Sequence, residues 1–320
     1  DLSDLWTAGG ADIPESISSV SQLDGTYYMY PLSVAAHCMA INYEVFEAAG
    51  ALQYIDEETR TWTTDDFVAA MEAIKTAIDN GTVSLATPGI VYCGAQGGDQ
   101  GTRALVNNLY SDYYVNDDGT SYNANSANNV KALTLLQEMV NEGSLSANAS
   151  YAAADELQAF ANQTCAVTFC WNYSNYTQYA EQTQFTPFAM AFPSDDSQPE
   201  LEMAGPYGFG VFDKGDEAKI EAAKTFIDFI AADPDQVKDS VLASTYFPVR
   251  TSVGDIYAGN EIMSEYSKFM NYLGDYYQIT PGWATARTEW WNMLQRVGSG
   301  EDVESAVKTF VDNANAAAQA

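Results

Sequence analysis

The chain has 320 residues, and its 44 acidic and 13 basic side chains give a formal net charge of −31 at pH 7. A nucleic-acid-binding surface must be cationic to neutralise phosphates, so this charge disfavours nucleic acids as partners, and anionic lipid surfaces likewise. We interpret the acidity as a solvated surface, with recognition of a cationic ligand as the alternative. A chain of this length can bury a large core and is expected to form two lobes rather than one.

Residues 24–50 are the most informative segment of the sequence. They predict, in order, a tight turn at Asp24-Gly25, a strand over Tyr27–Tyr30, a break at Pro31, a second strand from Val34 to Ile41, and a short helix over Glu44–Ala49 that stops at Gly50. Glycine adopts positive φ without steric cost, and proline has no N–H to donate to a sheet. The segment therefore predicts a strand that a proline interrupts, followed by a capped helix.

Longer helices are predicted where apolar residues recur on one helical face. Their expected spans run from Thr63 or Thr64 to Asn80, over 127–142, over 216–232 with Ile220, Phe226, Phe229 and Ile230 on one side, over 282–298 and over 302–318. Further short strands are expected at Ala36–Asn42, Ile90–Tyr92, Ala166–Phe169 and Gly208–Phe212. Mixed strands and helices without an internal repeat predict an α/β fold.

The cysteine and histidine content gives little indication of chemistry. Cys38, Cys93, Cys165 and Cys170 have apolar neighbours and no CxxC spacing, so we expect buried free thiols, with disulfides as the alternative. The single histidine, His37, is expected to be an interior imidazole rather than a donor in a ligand cleft. Neither a metal site nor a cofactor is expected, and Asp117-Asp118-Gly119 lacks the spacing of an EF-hand and predicts a hairpin turn.

Several motifs occur in an order that resembles the extracellular solute-binding proteins of ABC importers, in the sugar-binding branch that includes maltodextrin-binding protein. They are DG-x-x-Y-x-x-P followed by an apolar strand and N-Y-x-x-F-x-x-A-G, then Thr61–Phe67, Asn116–Gly119 with Ala132-Leu133, Cys165–Phe169, Phe192-Pro193, Gly205–Phe212 and Gly298–Glu301. No single motif is specific, but together they span nearly the whole chain. The resemblance implies a two-lobed periplasmic-binding-protein type II fold with discontinuous lobes.

The resemblance also implies where the chain passes between lobes. The expected crossings lie near Val34–His37, Tyr207–Val211 and Tyr276–Thr280. The first lobe would then comprise residues 1–36 and 209–275, and the second 37–208 and 276–320, with a ligand cleft between them that closes by a hinge. Family members begin with a strand, helix and strand upstream of the point where Asp1 aligns, so the first lobe is expected to lack its amino-terminal part.

A saccharide presents C–H patches that pack on aromatic rings and hydroxyls that need directional donors and acceptors. In the family, the helix that follows Thr280-Pro281-Gly282 opens at the cleft, with Thr280 expected as its cap, and an aromatic at the position of Arg287 stacks on sugar. Here that aromatic is replaced by Arg287, and Trp283 lies one turn earlier. We predict that both contact the ligand, and that the guanidinium holds a polar or anionic substituent. The alternative is a core tryptophan beside a surface ion pair.

The resemblance gives further ligand-binding candidates, for each of which ordinary packing is the alternative. Trp171 and Tyr173 follow a strand where the family has a stacking aromatic, Tyr207 lies at the second crossing, and Ser33 lies beside the first.

A glycine-rich loop precedes three more candidates. The loop lacks the spacing and lysine of a phosphate-binding Walker motif, so nucleotide binding is not expected. By family position, Asp99, Gln100 and Arg103 are expected to bind hydroxyls, with an ordinary loop as the alternative.

The resemblance implies a non-enzymatic, monomeric protein that captures a saccharide, most simply an oligosaccharide, and delivers it to a membrane permease. A lipid anchor outside this sequence would tether it to the outer face of the cytoplasmic membrane, or it would be periplasmic. The alternatives are binding of glycerol phosphate or another anionic polyol through Arg103 and Arg287, and glycoside hydrolysis, for which no motif places two carboxylates opposite one another.

Overall fold

The fold is taken from a computed structural model in which residues 1–201, 203–274 and 278–320 are described. Its contacts divide the chain into two compact units, each built from two separate stretches of sequence. The first unit contains Asp1–Ala36 and Met203–Asn271, and the second contains His37–Glu202 and Tyr272–Ala320. Helices and strands occur in both units, which confirms the predicted α/β class.

The strands of the first unit are β1 (Gln22–Leu23), β2 (Thr26–Tyr27), β3 (Tyr30–Ala36), β9 (Met203–Phe209) and β10 (Phe247–Pro248). The unit is built on a three-stranded antiparallel sheet with the order β10-β3-β9, and β1 and β2 form a separate pair. Its helices are α1 (Ser3–Gly9), α2 (Glu15–Ser18), α9 (Glu217–Ala231), α10 (Pro234–Ser244) and α11 (Glu261–Ser267), with 3₁₀ turns at Ser19–Ser21, Thr251–Val253 and Lys268–Tyr272, the last of which ends one residue into the second unit.

The predicted break at Pro31 is wrong, because Pro31 lies inside β3 and pairs with Gly208 of β9. The register shifts between Pro31 and Ser33, so an irregularity accommodates the residue that cannot donate an N–H. A Cβ at position 208 would lie 2.5 Å from the carbonyl oxygen of Tyr30, which explains the glycine opposite this site.

Helix α9 forms where it was predicted, but the expected apolar side is not the buried one. Ile227 and Ala231 are buried, whereas Phe226 and Phe229 are 53% and 55% exposed. The helix is apolar on more than one face, so periodicity alone does not identify the face that packs on the unit.

The limits of the two units differ from the predicted lobes at two of three positions. The observed units and the predicted lobes both divide the chain after Ala36. At the second boundary, β9 pairs with β3 along its length, which keeps residues 203–208 in the first unit. Residues 272–274 belong to the second unit, where Leu273 forms a parallel bridge with Leu201. The start of the expected third crossing, including Tyr276, lies outside the described residues.

The second unit contains a three-stranded antiparallel sheet with the order β7-β4-β8 and a parallel pair, β5-β6. Its strands are β4 (Cys38–Asn42), β5 (Ile90–Val91), β6 (Ser146–Ala147), β7 (Val167–Trp171) and β8 (Pro187–Met190). Its helices are α3 (Tyr43–Ala48), α4 (Thr64–Asp79), α5 (Asp99–Leu109), α6 (Ala127–Glu142), α7 (Ala153–Ala161), α8 (Tyr173–Tyr179), α12 (Trp283–Gly298) and α13 (Val303–Ala318), with a 3₁₀ turn at Ala51–Tyr54.

Two of the longer helices of this unit, α4 and α6, confirm the sequence predictions at one end each. Thr63 caps α4 and exchanges hydrogen bonds with Asp66 in a capping box. Gly143 ends α6 with a φ of 82°. These short-range signals depend on only a few neighbouring residues, so the sequence alone locates them.

The expectations for the cysteines and His37 are also confirmed. All four cysteines are buried free thiols, and burial raises the pKa of Cys38 above its ordinary value. His37 is buried, its Nε2 lies 2.8 Å from the carbonyl oxygen of Phe169, and its ring meets Phe192 edge-on. These groups are inert parts of the core.

No helix of the described residues is long and apolar enough to cross a membrane. Within the same residues, no group of three or more His, Cys, Asp or Glu side chains is arranged to hold a metal ion. Residues 115–122 form a turn closed by a bridge between Val115 and Tyr122, with Gly119 at a φ of 67°.

Candidate functional site

Most of the predicted ligand-binding residues lie in the second unit, where the starts of α5 and α12 place four of them close together. The chain enters α5 through Gly97 and Gly98. Gly97 has a φ of 76°, and a Cβ on Gly98 would lie 2.6 Å from the carbonyl oxygen of Tyr151. The two glycines therefore allow the close backbone approach that sets Asp99 at the first position of α5.

Helix α12 begins at Trp283, and the predicted cap at Thr280 is wrong. Gly282 occupies the cap position with a φ of 71° and no side-chain hydrogen bond. A Cβ there would meet the backbone of Ala317 at 2.7 Å, so packing against α13 requires glycine. Trp283, Arg287 and Trp291 follow one another at four-residue spacing and so share one face of α12.

One carboxylate joins α5 to α12. Asp99 forms an ion pair with Arg103 one turn along α5, and its other oxygen lies 3.3 Å from Nη2 of Arg287. The side chains of Asp99 and Arg103 are 0% and 1% exposed, whereas that of Arg287 is 30% exposed. A buried carboxylate needs a paired cation, and Arg103 provides one within the same helix. Arg287 is the member of this cluster that reaches solvent.

Two indole rings flank the two guanidinium groups. The guanidinium carbon of Arg103 lies 5.5 Å from the ring centroid of Trp283, and that of Arg287 lies 5.5 Å from the ring centroid of Trp291. Both tryptophans are half-buried. At this distance a guanidinium is attracted to the face of an indole. We call Asp99, Arg103, Trp283, Arg287 and Trp291 the Arg–Trp array.

Sequence reasoning missed two aromatic residues at this site. Trp291 lies one turn beyond Arg287, and its spacing was a usable signal. Tyr114 lies 6.2 Å from Trp283 between ring centroids and is buried. It comes from the loop after α5, so nothing in its local sequence indicates the contact.

Asp99 and Arg103, which were predicted to bind hydroxyls, have almost no exposed surface. Asp99 contacts Arg287, and the guanidinium of Arg103 lies near the ring of Trp283. Gln100 is half-buried next to them, and its backbone N–H donates to the carbonyl of Gly97 at 3.2 Å.

Trp171, a predicted ligand-binding residue, is fully buried at the end of β7. Its ring packs edge-on against Phe160 at 5.5 Å and stacks with Tyr179 at 6.5 Å. Tyr173, two residues later, begins α8 and is half-buried, with its ring stacked on Tyr176 at 5.9 Å. Of this pair only Tyr173 keeps exposed surface.

The remaining two candidates lie in the first unit. Ser33 is 2% exposed within β3, between its partners in β9 and β10. Tyr207 is 44% exposed and stacks on Tyr246 at 4.9 Å, with the ring planes 10° apart. Tyr246 is a further residue that the sequence did not indicate.

A buried carboxylic acid lies beneath the end of β7. Glu156 of α7 is 1% exposed and accepts a hydrogen bond of 2.6 Å from the backbone N–H of Phe169. Burial raises the pKa of Glu156 from 4.5 to about 7, although the hydrogen bond from Phe169 acts in the opposite direction. This group therefore changes charge near neutral pH.

The chain belongs to the bacterial extracellular solute-binding protein family, whose sequence model matches residues 1–271. No curated protein sequence matches the chain.

Solved structures confirm the predicted solute-binding protein fold. An ABC transporter solute-binding protein from Agrobacterium radiobacter in complex with ribitol has a TM-score of 0.74 at 19% identity, over 99% of this chain and 79% of that chain. A cyclic α-maltosyl-1,6-maltose binding protein from Arthrobacter globiformis has a TM-score of 0.72 at 18% identity, over 99% and 77%. UgpB from Mycobacterium tuberculosis in complex with glycerophosphocholine has a TM-score of 0.73 at 16% identity, over 99% and 78%.

Proposed function

We propose that this protein captures a saccharide or polyol outside the cell and delivers it unchanged to the permease of an ABC importer. The observation that carries the proposal is the match of residues 1–271 to the extracellular solute-binding family. Of the solved structures of similar fold, one is in complex with ribitol, one is in complex with glycerophosphocholine and one is described as a cyclic maltosyl-maltose binding protein. Each of these ligands carries hydroxyl groups.

The Arg–Trp array supports the same ligand class. A half-buried indole offers a flat apolar face to the C–H groups of a sugar or polyol, and a partly exposed guanidinium offers donors to its oxygens. Trp283 and Arg287 are therefore the residues that we propose bind ligand, with Gln100 and Tyr173 as further contacts in the same unit.

Binding without chemical change distinguishes this proposal from glycoside hydrolysis. A hydrolase needs two opposed carboxyl groups with different pKa values. The array contains the single carboxylate Asp99, which is buried and paired with two arginines. Release of a cleaved product during incubation with an oligosaccharide would contradict the proposal.

Thermal shift followed by calorimetry against saccharides, polyols, amino acids and peptides tests the function. A ligand that binds only the folded protein raises the melting temperature by mass action, by an amount equivalent to about 2.7 kcal/mol at a hundred times Kd. We expect shifts with members of the first two classes and recovery of the ligand intact. Shifts with amino acids or peptides alone would overturn the ligand class.

A pair of variants locates the site. Trp283→Ala is expected to weaken binding about tenfold, because it removes a ring contact together with apolar burial. Tyr54→Ala, which changes another half-buried aromatic in the 3₁₀ turn after α3, is the matched control and should leave affinity unchanged.

A further inference from the structure

We propose that the Arg–Trp array binds an oxyanion, a phosphate or carboxylate group, carried by the captured sugar or polyol. This inference rests on the proposed function and specifies the ligand class more narrowly. It assigns the recognition of the anionic group to Arg287 and the recognition of the adjoining carbon chain to Trp283.

The first argument is the charge of the array. Asp99 brings one carboxylate, and Arg103 and Arg287 bring two guanidinium groups, so the array carries one positive charge in excess. Asp99 and Arg103 form a buried pair within one helix, which leaves the excess on Arg287. The chain has five arginines and a formal net charge of −31, so two arginines on one carboxylate are an unusual local concentration. Attraction of an anion requires such a local positive field.

The second argument is the unused hydrogen-bonding capacity of Arg287. A guanidinium has five N–H donors in a planar fork that matches the geometry of an oxyanion. Within the described residues, the 3.3 Å contact with Asp99 is the one polar contact of this side chain, and it is longer than the roughly 2.7–2.9 Å of a strong charge-assisted bond. The Nε of Arg287 is buried without a partner in the same residues.

A second donor lies beside it. The Nε1 of Trp291 is also buried without a hydrogen-bond partner in the described part of the chain, and its ring is 5.5 Å from the guanidinium carbon of Arg287. Buried N–H groups are normally paired, so two unpaired donors on one face of α12 indicate a missing acceptor. An oxyanion offers two or more charged oxygens to these donors, whereas a sugar hydroxyl offers a single neutral one.

The buried ion pair between Asp99 and Arg103 explains how Arg287 is oriented to bind an oxyanion. Asp99 accepts from Arg103 with one oxygen and contacts Arg287 with the other, so it orients the second guanidinium without neutralising it. Arg103 and Asp99 are thus positioning residues. Trp283, which lies over Arg103, presents the apolar surface that distinguishes a polyol phosphate or sugar acid from a free inorganic anion.

Calorimetry with matched pairs of ligands tests the inference. The three pairs are ribitol and ribitol 5-phosphate, glucose and glucose 6-phosphate, and glucose and glucuronate. Inorganic phosphate is tested on its own beside them. We expect the charged member of at least one pair to bind tenfold or more tightly than the neutral member, since hydrogen bonds to charged groups exceed neutral ones by about this factor. Affinity for the charged member should fall with added salt, and affinity for the neutral member should not.

Three variants assign the effect to Arg287. Arg287→Gln should remove the preference for the charged member, and it should weaken binding of the charged member by a larger factor than binding of the neutral member. Arg287→Lys keeps the charge but not the fork and should retain part of the preference. Arg296→Gln, a control on the same helix that contacts Glu301 at 3.8 Å, should retain all of it.

The outcomes separate this inference from the proposed function. Equal binding within every pair, binding of the neutral members alone, or a preference that persists in Arg287→Gln would overturn the inference and leave saccharide capture standing. Binding of inorganic phosphate as tightly as the phosphorylated ligands would also overturn it, because the carbon chain would then contribute nothing. If no saccharide or polyol binds, charged or neutral, the proposed function fails and the inference fails with it.

Discussion

The two units of this protein are stabilised around different kinds of centre. In the second unit, Trp290 is fully buried and its ring lies 5.0 Å from Tyr114 and 5.3 Å from Phe310. In the first unit, the polar side chain Arg250 is buried beside the apolar core and joins several segments. Its Nε donates to the carbonyl of Ala231 and its Nη1 to that of Gly9, both at 2.7 Å, and it also contacts Asp12 and the hydroxyl of Tyr30.

The units differ on their surfaces as well. Among the described residues, eight of the nine large apolar side chains that are exposed belong to the first unit: Leu23, Tyr28, Tyr207, Phe212, Phe226, Phe229, Leu242 and Ile262. Only Ile279 belongs to the second. The stability of a unit with a polar hub and an apolar surface depends on specific hydrogen bonds, whereas the stability of a unit with an aromatic core depends on its buried apolar area.

The largest expected effect is that of Trp290→Ala on the second unit. Removing a fully buried indole leaves a cavity among aromatic rings, and such changes cost about 3–5 kcal/mol. Chemical denaturation followed by circular dichroism should show this loss of unfolding free energy. Trp291→Ala, one position along α12 and only half-buried, should cost clearly less; equal losses would show that the core is not centred on Trp290.

The corresponding change in the first unit is Arg250→Met, which keeps the length of the side chain but removes its donors. It leaves the carbonyls of Gly9 and Ala231 and the Asp12 carboxylate without this partner, so we expect a loss of roughly 3 kcal/mol. Arg296→Met, which changes a partly exposed arginine in the other unit, should stay within about 1 kcal/mol. A neutral Arg250→Met would mean that apolar packing, rather than the hub, stabilises the first unit.

How much of this could be predicted from sequence depends on the range of the interaction. The start of α4 at Thr63 and the end of α6 at Gly143 involve residues within one turn and were predicted correctly, whereas the cap predicted at Thr280 was not. The irregularity at Pro31 depends on a partner strand about 180 residues later, at Gly208, and it was not predicted.

The site shows the same limit. The four-residue spacing of Trp283 and Arg287 correctly placed them on one helix face, whereas the burial of Trp171, Ser33 and Asp99 is decided by distant elements that pack over them. Residue type and spacing propose a side chain for a site, but tertiary packing decides whether it reaches solvent.

Glu156 provides a smaller, pH-dependent test in the second unit. Its pKa is about 7 in the folded protein against an ordinary value of 4.5, so the folded state binds the proton more tightly. This stabilisation is present below pH 4.5, decreases as pH rises towards 7, and is lost above it. Glu156→Gln remains uncharged, so we expect it to be more stable than the parent by on the order of 2 kcal/mol at pH 8.

Thermal denaturation between pH 5 and pH 8 measures this difference. The gap between Glu156→Gln and the parent should widen as pH rises, whereas Glu142→Gln, at the exposed end of α6, should follow the parent throughout. A constant gap would mean that Glu156 titrates outside this interval.

The smallest expected effect is on the exposed face of α9 in the first unit. Phe226 and Phe229 are more than half exposed, so replacing either with Gln should change the unfolding free energy by no more than about 0.5 kcal/mol. Ile227 lies between them and is 2% exposed, and Ile227→Gln should cost several times more because it buries an amide without a partner. Denaturation of the three variants in parallel measures the contrast within one helix. If Phe226→Gln proves as costly as Ile227→Gln, both faces of α9 are covered in solution, and the first unit is more apolar at its centre than the Arg250 hub implies.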